Sequence, residues 1–444
     1  MPPTEEGTRT SIGWSRSRHE RAPLQIASFL VISQLIVGCS SIPTRPTQAP
    51  STFSLTNPSA LQQISQSALQ AMLDKTAKDL LLPGALILLR TPQGEFIASY
   101  GTTLLGTTIL PRADTYFRIA SNTKTMTAAL ILQLAEENKL SLNDPVSKYV
   151  PRVPDGGHIT VAQLLEMRSG LYNYTDAPEI WKNMDQHPDR VWSPTQLLAI
   201  AFAHPPNSPP GATYEYNNTN YVLLGLIIEK VGGKSLAQAM QDRLFGPLNL
   251  QHTQLPPSAV NTLPDPYSHG YLYGSASVAM IDTPPYSQQL QAAARAGTVR
   301  PKDFTDLNHS FATAAGGVIA TANDVATWIE ALVSGRVLNG HYQRLWLDSP
   351  QPEDPSKPDG QQYGYGITKL RWGSNTMYFH GGETPGFNSF MGCDPANQMT
   401  LVVWTNLTVS LDQRPTANAI MLKVLDQIYA VSPLTSPPAS NREK

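Results

Sequence analysis

The sequence has few cysteines and almost no net charge. Two cysteines in 444 residues, Cys39 and Cys393, are too few and too far apart for a disulfide framework or a zinc site. Lys and Arg number 32 against 34 Asp and Glu, which leaves a formal net charge of -2. Proteins that neutralise nucleic-acid phosphates usually carry a marked basic excess, so we expect no nucleic-acid partner. The hydrophobic share of 41% is typical of a globular chain with a sizeable core.

The apolar run near the N-terminus is too short for an ordinary membrane span. It covers residues 22–38, "APLQIASFLVISQLIVG", and includes Gln25 and Gln34, whereas a spanning helix needs about 20 apolar residues. Three arginines precede it, at positions 16, 18 and 21. A basic segment followed by a short apolar run is typical of a signal peptide.

The run ends in "IVGC", which resembles the lipobox of bacterial lipoproteins, where the Cys receives the lipid. A short membrane anchor with an incidental Cys is the alternative. We predict a lipoprotein signal peptide over residues 1–38, lipidation of Cys39, and a Ser/Thr/Pro-rich tether over residues 39–58. The protein would then be exported and lipid-anchored to a membrane of the bacterial cell envelope.

Apolar periodicity beyond the tether predicts an α+β fold. A helix after Leu61 and a β-hairpin at "GALILLR" and "GEFIASYG" come first. Helical patterns then dominate, followed by strands at "TMYFHGG", "FNSFMGCD" and "QMTLVVWTN" and by a closing helix. This order predicts a mixed antiparallel sheet flanked by helices, with a helical lobe inserted between its two halves. A cleft between the two lobes is the expected place for a site.

The predicted boundaries follow from the same pattern. One domain covers residues 59–432, and residues 433–444 form a C-terminal tail. The sheet lobe takes about 60–115 and 310–432, and the helical lobe takes about 116–309.

Ser121 and Lys124 begin a strongly helical stretch, in "SNTK". A spacing of three places both side chains on one helix face. A serine hydroxyl becomes a useful nucleophile when a neighbouring group can take its proton, and a desolvated lysine can do so. The same Ser could instead be a plain helix cap.

Two further polar groups accompany this pair. In "YEYNNTNYVLLGLIIEKVGG", Tyr216 and Asn218 stand immediately before an apolar helix, where they could meet Ser121 or serve in packing, with Asn218 or Thr219 as the cap. In "HGGETPGF", His380 is followed by Gly381 and Gly382, and residues without side chains let a ligand lie along a strand. A tight turn is the alternative reading of this segment.

Taken together, these three segments resemble the serine β-lactamase and penicillin-binding protein family. The pattern is similar to the class C β-lactamase-type group, in which Tyr-x-Asn is the second of three sequence motifs and His-x-Gly is often the third. It resembles secreted serine D-alanyl-D-alanine carboxypeptidases most closely. The resemblance extends over "RSGLYNYTD", the segment 210–250 and "AAGGVIATANDVATWIEAL". It implies a serine hydrolase that works through an acyl-enzyme without a metal or organic cofactor.

The resemblance also implies roles for individual residues. Ser121 would be the nucleophile, Lys124 its proton-transfer neighbour and Tyr216 the general base. The residues that would bind the substrate are Asn218, His380, Gly381, Gly382 and Thr384. The backbone N–H groups of Ser121 and Glu383 would form the oxyanion hole.

Two departures from the family pattern limit the substrate assignment. Carboxypeptidases of this type carry an arginine for the substrate carboxylate, and the corresponding position here is near Ile367 or Thr368, with Lys369 or Arg371 as possible replacements. Gly381 also lacks the usual hydroxyl. The sequence therefore leaves three hypotheses open: a D-alanyl-D-alanine carboxypeptidase, related D-amino-acid peptidase or β-lactamase, a carboxylesterase on the same fold, and an inactive lipoprotein that binds penicillin or peptidoglycan. The substrate would be a cell-wall peptide, a β-lactam or an ester.

Overall fold

The computed structural model describes residues 61–281 and 286–429. The predicted signal peptide, the predicted lipidation site Cys39, the predicted tether and the predicted C-terminal tail lie outside the described residues. Within them, no helix is both long enough and apolar enough to cross a membrane.

The helices and strands follow the order predicted from the sequence. The helices are α1 Gln66–Asp79, α2 Thr123–Glu136, α3 Val161–Leu165, α4 Pro178–Gln186, α5 Pro194–Phe202, α6 Asn218–Gly232, α7 Leu236–Met240, α8 Ala276–Ile281, α9 Gln288–Arg295, α10 Thr313–Gly316, α11 Ala322–Val333, α12 Gly340–Asp348 and α13 Thr416–Ile428. The strands are β1 Gly84–Thr91, β2 Gly94–Gly101, β3 Tyr116–Arg118, β4 Tyr271–Leu272, β5 Lys302–Asp303, β6 Ile319–Thr321, β7 Gln351–Pro352, β8 Gln362–Tyr363, β9 Thr368–Trp372, β10 Asn375–Thr384, β11 Phe387–Asp394 and β12 Met399–Thr405.

Eight strands form one sheet in the order β2-β1-β12-β11-β10-β9-β8-β7. Each neighbouring pair is antiparallel, and strands from the two ends of the domain meet where Ala85 pairs with Thr405. The predicted α+β fold with an antiparallel sheet is therefore confirmed. Successive residues of a strand point to opposite faces, so β1 contributes Leu86 and Leu88 to one core and Ile87 and Leu89 to the other.

The two cores explain why the central strands read as continuous apolar runs. The first core joins one sheet face to α2 and α6 of the predicted helical lobe and to α11 of the predicted sheet lobe. The second joins the opposite face to α1 and α13. Because β12 is covered on both sides, all seven of its residues are buried.

One local prediction differs from the structure. The first helix begins at Gln66 rather than at Leu61, because Ser65 caps it by accepting from the N–H of Ala68. The Pro-rich segment 350–360 is mostly exposed, and it contains β7, which pairs with β8 just beyond it. This pairing holds Glu353 at the wall of the cleft described below.

Candidate active site

Ser121 lies on a tight turn between β3 and α2. The turn is a single 3-10 turn, Ala120–Asn122, and Ala120 has a φ of 48°, a left-handed conformation that alanine adopts only at a cost of about 1–3 kcal/mol. The side-chain Nδ2 of Asn122 donates to Ile119 O at 3.0 Å and to Ser389 Oγ at 2.8 Å. The turn is thereby fixed to β11, and Ser121 stays partly exposed in the cleft.

Lys124 lies one helical turn further on and is completely buried, with 0% exposure. Its Nζ donates to Asn218 Oδ1 at 2.8 Å and to Ala315 O at 2.7 Å and lies 2.9 Å from Ser121 Oγ, so in the neutral amine the lone pair is left for the serine hydroxyl. Among the described ion pairs none involves Lys124 within 4.0 Å, so its partners are neutral. Burial lowers the pKa of Lys124 well below its ordinary value of 10.5 because the charged form loses hydration. The amine can therefore accept a proton.

Tyr216 and Asn218 reach the site from the start of α6. The helix is capped by Asn217, whose Oδ1 accepts from the N–H of Thr219 at 2.8 Å. Neither Asn218 nor Thr219 is thus the cap, and Asn218 is left to bind Lys124. Asn218 is held in turn by its Nδ2, which donates to Thr175 Oγ1 at 3.0 Å.

The phenol of Tyr216 is buried above Lys124. The amine lies 4.8 Å from the centre of its ring, and the phenol oxygen makes no hydrogen bond of normal geometry to any described residue. Burial raises the pKa of Tyr216, while the nearby Ser121 hydroxyl lowers it in part and the charges of Glu383 and Glu353 raise it further. The phenol is therefore neutral in the resting site.

His380 lies in the middle of β10 and is neutral. Its Nδ1 donates to Gly381 O at 2.6 Å, since a carbonyl can only accept, and its Nε2 then accepts from Tyr363 Oη at 3.1 Å. Only 3% of the residue is exposed. Burial, followed by the nearby charge of Lys124, lowers the pKa of His380 to about 3, so it offers no positive charge at neutral pH.

The glycines of this segment let β10 approach the Ser121 turn. A Cβ on Gly382 would lie 2.2 Å from Ile119 O and 2.5 Å from Ser389 Oγ, whereas a Cβ on Gly381 would meet nothing closer than 3.8 Å. Gly382 is required for this contact, which brings the backbone of Glu383 to the cleft. Thr384 also lines the cleft, and its hydroxyl is buried without a hydrogen-bond partner among the described residues.

These groups open into one cleft of about 600 Å³. Seven of the eight catalytic and substrate-binding residues predicted from the sequence line it. The eighth, Lys124, lies beneath Ser121 and hydrogen-bonds to it. Thr368 lines the cleft, but Lys369 and Arg371 do not. Arg371 is exposed and pairs with Asp359 at 3.3 Å. Neither basic residue replaces the arginine of the carboxypeptidases.

Sequence reasoning missed several lining residues. One group is apolar and consists of Trp181, Met280, Ile281 and Phe311. Another is acidic and consists of Asp176, Glu215, Glu353 and Glu383. Of these four, the sequence predicts a role only for Glu383, whose backbone N–H is an expected oxyanion donor. No motif marks the rest, because packing rather than local spacing brings them to the cleft. The described residues contain no group of three or more His, Cys, Asp or Glu that could hold a metal ion.

The family described as Beta-lactamase matches residues 69–426, so the chain belongs to the β-lactamase family of serine hydrolases. The family resemblance seen in the sequence is thereby confirmed, as is the expectation of a serine hydrolase.

The curated relatives match this chain over part of their own length. The chain is 31% identical over 198 residues to the teichoic acid D-alanine hydrolase of Staphylococcus aureus, which covers 44% of this chain and 47% of that one. Matched segments span 63% and 47% of the length of two curated relatives, so whole-protein activities do not carry over directly.

Two solved structures are similar over more of the chain. A D-stereospecific amidohydrolase from Streptomyces sp. has a TM-score of 0.68 and 29% identity, covering 81% of this chain and 98% of that one. The D-amino acid amidase from Ochrobactrum anthropi SV3, complexed with D-phenylalanine, has a TM-score of 0.68 and 25% identity, with the same coverage of 81% and 98%.

Proposed function

We propose that the protein hydrolyses amides or esters of D-amino acids through an acyl-enzyme on Ser121. The observation that carries the proposal is the buried Lys124 amine, which hydrogen-bonds to Ser121 and has no carboxylate partner. The names of the relatives, a D-amino acid amidase, a D-stereospecific amidohydrolase and a teichoic acid D-alanine hydrolase, support the D-amino-acid substrate class.

The proposed reaction begins with attack of Ser121 Oγ on the substrate carbonyl carbon. Lys124, rather than the Tyr216 that the family resemblance implies as general base, takes the serine proton, because the pKa of Lys124 is lowered and that of Tyr216 is raised. The N–H groups of Ser121 and Glu383 donate to the developing oxyanion. The tetrahedral intermediate then breaks its bond to the leaving amine or alcohol. Tyr216, a neutral phenol, passes a proton to that leaving group and regains one from Lys124.

Water completes the cycle by attacking the acyl-serine. The proton that the attacking water loses passes through Lys124 to the displaced oxygen of Ser121, the water's hydroxyl stays on the acyl carbon, and the free D-amino acid leaves. Asn218 holds Lys124 in place and is accessible from the cleft for the acyl part of the substrate.

The charge of the cleft favours this substrate class over D-alanyl-D-alanine peptides and β-lactams. Both of those carry a carboxylate on the leaving-group side, and the described residues that line the cleft include no Lys or Arg. A neutral His380 supplies no substitute. A carboxylesterase activity fits the same absence and is the second candidate.

The test compares the purified protein with Ser121→Ala. The substrates are D-alanine p-nitroanilide, its L-enantiomer, a p-nitrophenyl ester, a D-alanyl-D-alanine peptide and a fluorescent penicillin. We expect turnover of the D-anilide above the L-anilide and the dipeptide, and none by Ser121→Ala. Turnover of the ester alone would favour the carboxylesterase, and equal turnover by Ser121→Ala would refute the assignment of the nucleophile.

We also propose that Cys39 carries a lipid that holds the enzyme at a membrane of the bacterial envelope. The supporting observations are the "IVGC" sequence and the basic and apolar segments before it. Cells expressing the full chain should incorporate labelled palmitate into the protein, and Cys39→Ala should not. Equal labelling of both forms would contradict the lipid anchor.

A further inference from the structure

The cleft has an uneven charge distribution. Four carboxylates line it, and the described lining includes no Lys or Arg. Lys124 lies beneath Ser121 and is occupied by three hydrogen-bond partners, while both nitrogens of His380 are engaged within the protein. A ligand with a positive charge is therefore favoured over one with a negative charge.

Glu353 is a cleft carboxylate whose described hydrogen-bond donors are neutral, so it can receive such a charge. Its Oε1 accepts from the Nε2 of Gln361 at 2.8 Å, and Tyr214 also hydrogen-bonds to it. No described Lys, Arg or His nitrogen lies within 4.0 Å of the Glu353 carboxylate. Arg168 is the nearby cation, but it donates to Pro352 O at 2.9 Å and does not line the cleft. The carboxylate thus has neutral donors on one side and the cleft on the other.

A row of rings links Glu353 to the reacting centre. Tyr214, which binds Glu353, lies with its ring centre 5.6 Å from that of Tyr363, and Tyr363 lies 6.3 Å from Tyr216. The charge of Glu353 is felt at the Tyr216 phenol, as is that of Glu383. Glu353 and Tyr216 thus line one cleft and are connected through the rings of Tyr214 and Tyr363.

We infer that Glu353 binds the free α-ammonium group of the substrate, so that the enzyme acts on unblocked amino-acid amides and esters rather than on N-acylated ones. The inference rests on the proposed function and adds a specificity-determining residue to it. In an amino-acid amide the ammonium is separated from the scissile carbonyl by a single carbon, about 2.5 Å away. A group that recognises it must therefore lie beside the reacting carbonyl, as a wall of the same cleft does. No covalent step involves Glu353.

Burial is consistent with this role. Burial raises the pKa of Glu353, against smaller opposing effects of Gln361, Tyr214 and Arg168. A partly desolvated carboxylate without a cation gains more from an incoming ammonium than a solvated one.

The test uses two substrates that differ only in the ammonium, D-alanine p-nitroanilide and propionic acid p-nitroanilide. We expect Glu353→Gln to lower kcat/KM for the first by about 10- to 100-fold, the usual loss for a hydrogen bond to a charged group, and to leave the second within about twofold. Asp359→Asn removes the same charge from the same loop at an exposed position and should match the parent on both substrates.

Binding provides a readout that does not depend on turnover. Calorimetric titration of Ser121→Ala with D-alaninamide should give saturable binding, weakened about 10- to 100-fold when Glu353→Gln is added. If no substrate is turned over but this difference appears, the proposed function fails and the ammonium site stands.

Three results would overturn the inference. Equal effects of Glu353→Gln on both anilides would show a general disturbance, and no effect on either would show that Glu353 does not touch the substrate. If Glu383→Gln, and not Glu353→Gln, lowers kcat/KM for the D-alanine anilide, the ammonium is bound by Glu383. A melting temperature close to that of the parent is required of each variant, and a misfolded Glu353→Gln is replaced by Glu353→Asp, which keeps the charge and should keep the preference for the free amine.

Discussion

Replacing Lys124 with methionine separates the catalytic role of the amine from its structural role. Methionine is unbranched and of similar length, so it can fill the same buried channel. The substitution removes three hydrogen bonds of 2.7–2.9 Å and leaves Asn218 Oδ1 and Ala315 O without their donor.

The stability terms oppose each other. Each orphaned buried acceptor costs about 1–3 kcal/mol. Against this, the parent desolvates an amine, and replacing a buried charged group by a hydrophobic one commonly stabilises by about 1–4 kcal/mol. For the two acceptors together, we therefore expect a net change between about 2 kcal/mol of stabilisation and about 5 kcal/mol of destabilisation. Loss of a positioned proton acceptor lowers the rate by about 10²- to 10⁴-fold.

The assay measures ester and D-anilide turnover together with thermal unfolding followed by circular dichroism. Lys423→Met is the control, because this lysine is exposed on α13 and makes only a 3.9 Å contact with Asp426. Activity above a tenth of the parent value in a folded Lys124→Met protein would refute the proton-acceptor role. A loss of fold with normal activity in the folded fraction would make the residue structural.

The pH dependence gives a second check on the same residue. The folded-state pKa of Lys124 is lowered from 10.5, so between the lowered pKa and about 10.5 the unfolded chain binds more protons than the folded one. Stability contributed by this residue therefore rises with pH through that window and is lost as pH falls. Activity should rise with pH through the lowered pKa, and Lys124→Met should lack both trends.

Three further predictions follow from the geometry. Gly382→Ala, whose Cβ would lie 2.2 Å from a backbone oxygen, should lower kcat by about 10²-fold or more by displacing an oxyanion donor, while Gly381→Ala should stay within about twofold; similar kinetics for the two variants would contradict the close approach of β10. Tyr363→Phe removes the donor to His380 and should lower stability by about 1 kcal/mol without shifting the pH profile near neutrality, and a new transition there would contradict a neutral His380. Leu73→Ala, in the fully buried face of α1, should cost about 2–5 kcal/mol in a denaturant titration with unchanged kcat, and a drop in kcat at full folding would mean that α1 influences the cleft.

The catalytic residues could be predicted from sequence because their relationship is local. Ser121 and Lys124 are one helical turn apart, and Asn218 follows the last non-helical residue of its loop, so spacing alone places each on the correct side of its element. Glu353 and Trp181 have no such local signature. They reach the cleft because β7 pairs with β8 and because α4 packs against α8, and both relations depend on contacts distant in sequence.

Helix boundaries show the same division. Twelve of the fourteen residues of α2 are buried. The apolar sequence of this helix therefore indicates that it is buried, but it does not indicate which of its faces lies towards Ser121. The prediction of Asn218 or Thr219 as the cap of α6 is wrong by one or two residues, because Asn217, Asn218 and Thr219 are all good caps. Only the tertiary contact of Asn218 with Lys124 decides between them.

The buried environment of Lys124 makes catalysis dependent on the cooperative integrity of the domain. Its acceptors come from segments 94 and 191 residues away in the chain, so opening either α6 or α10 would admit water, restore the ordinary basicity of the amine and leave it protonated. Partial unfolding of this kind requires less free energy than global unfolding. In a denaturant titration, enzymatic activity should therefore disappear at a lower concentration than the circular dichroism signal, and coincident transitions would mean that the site opens only when the whole domain does.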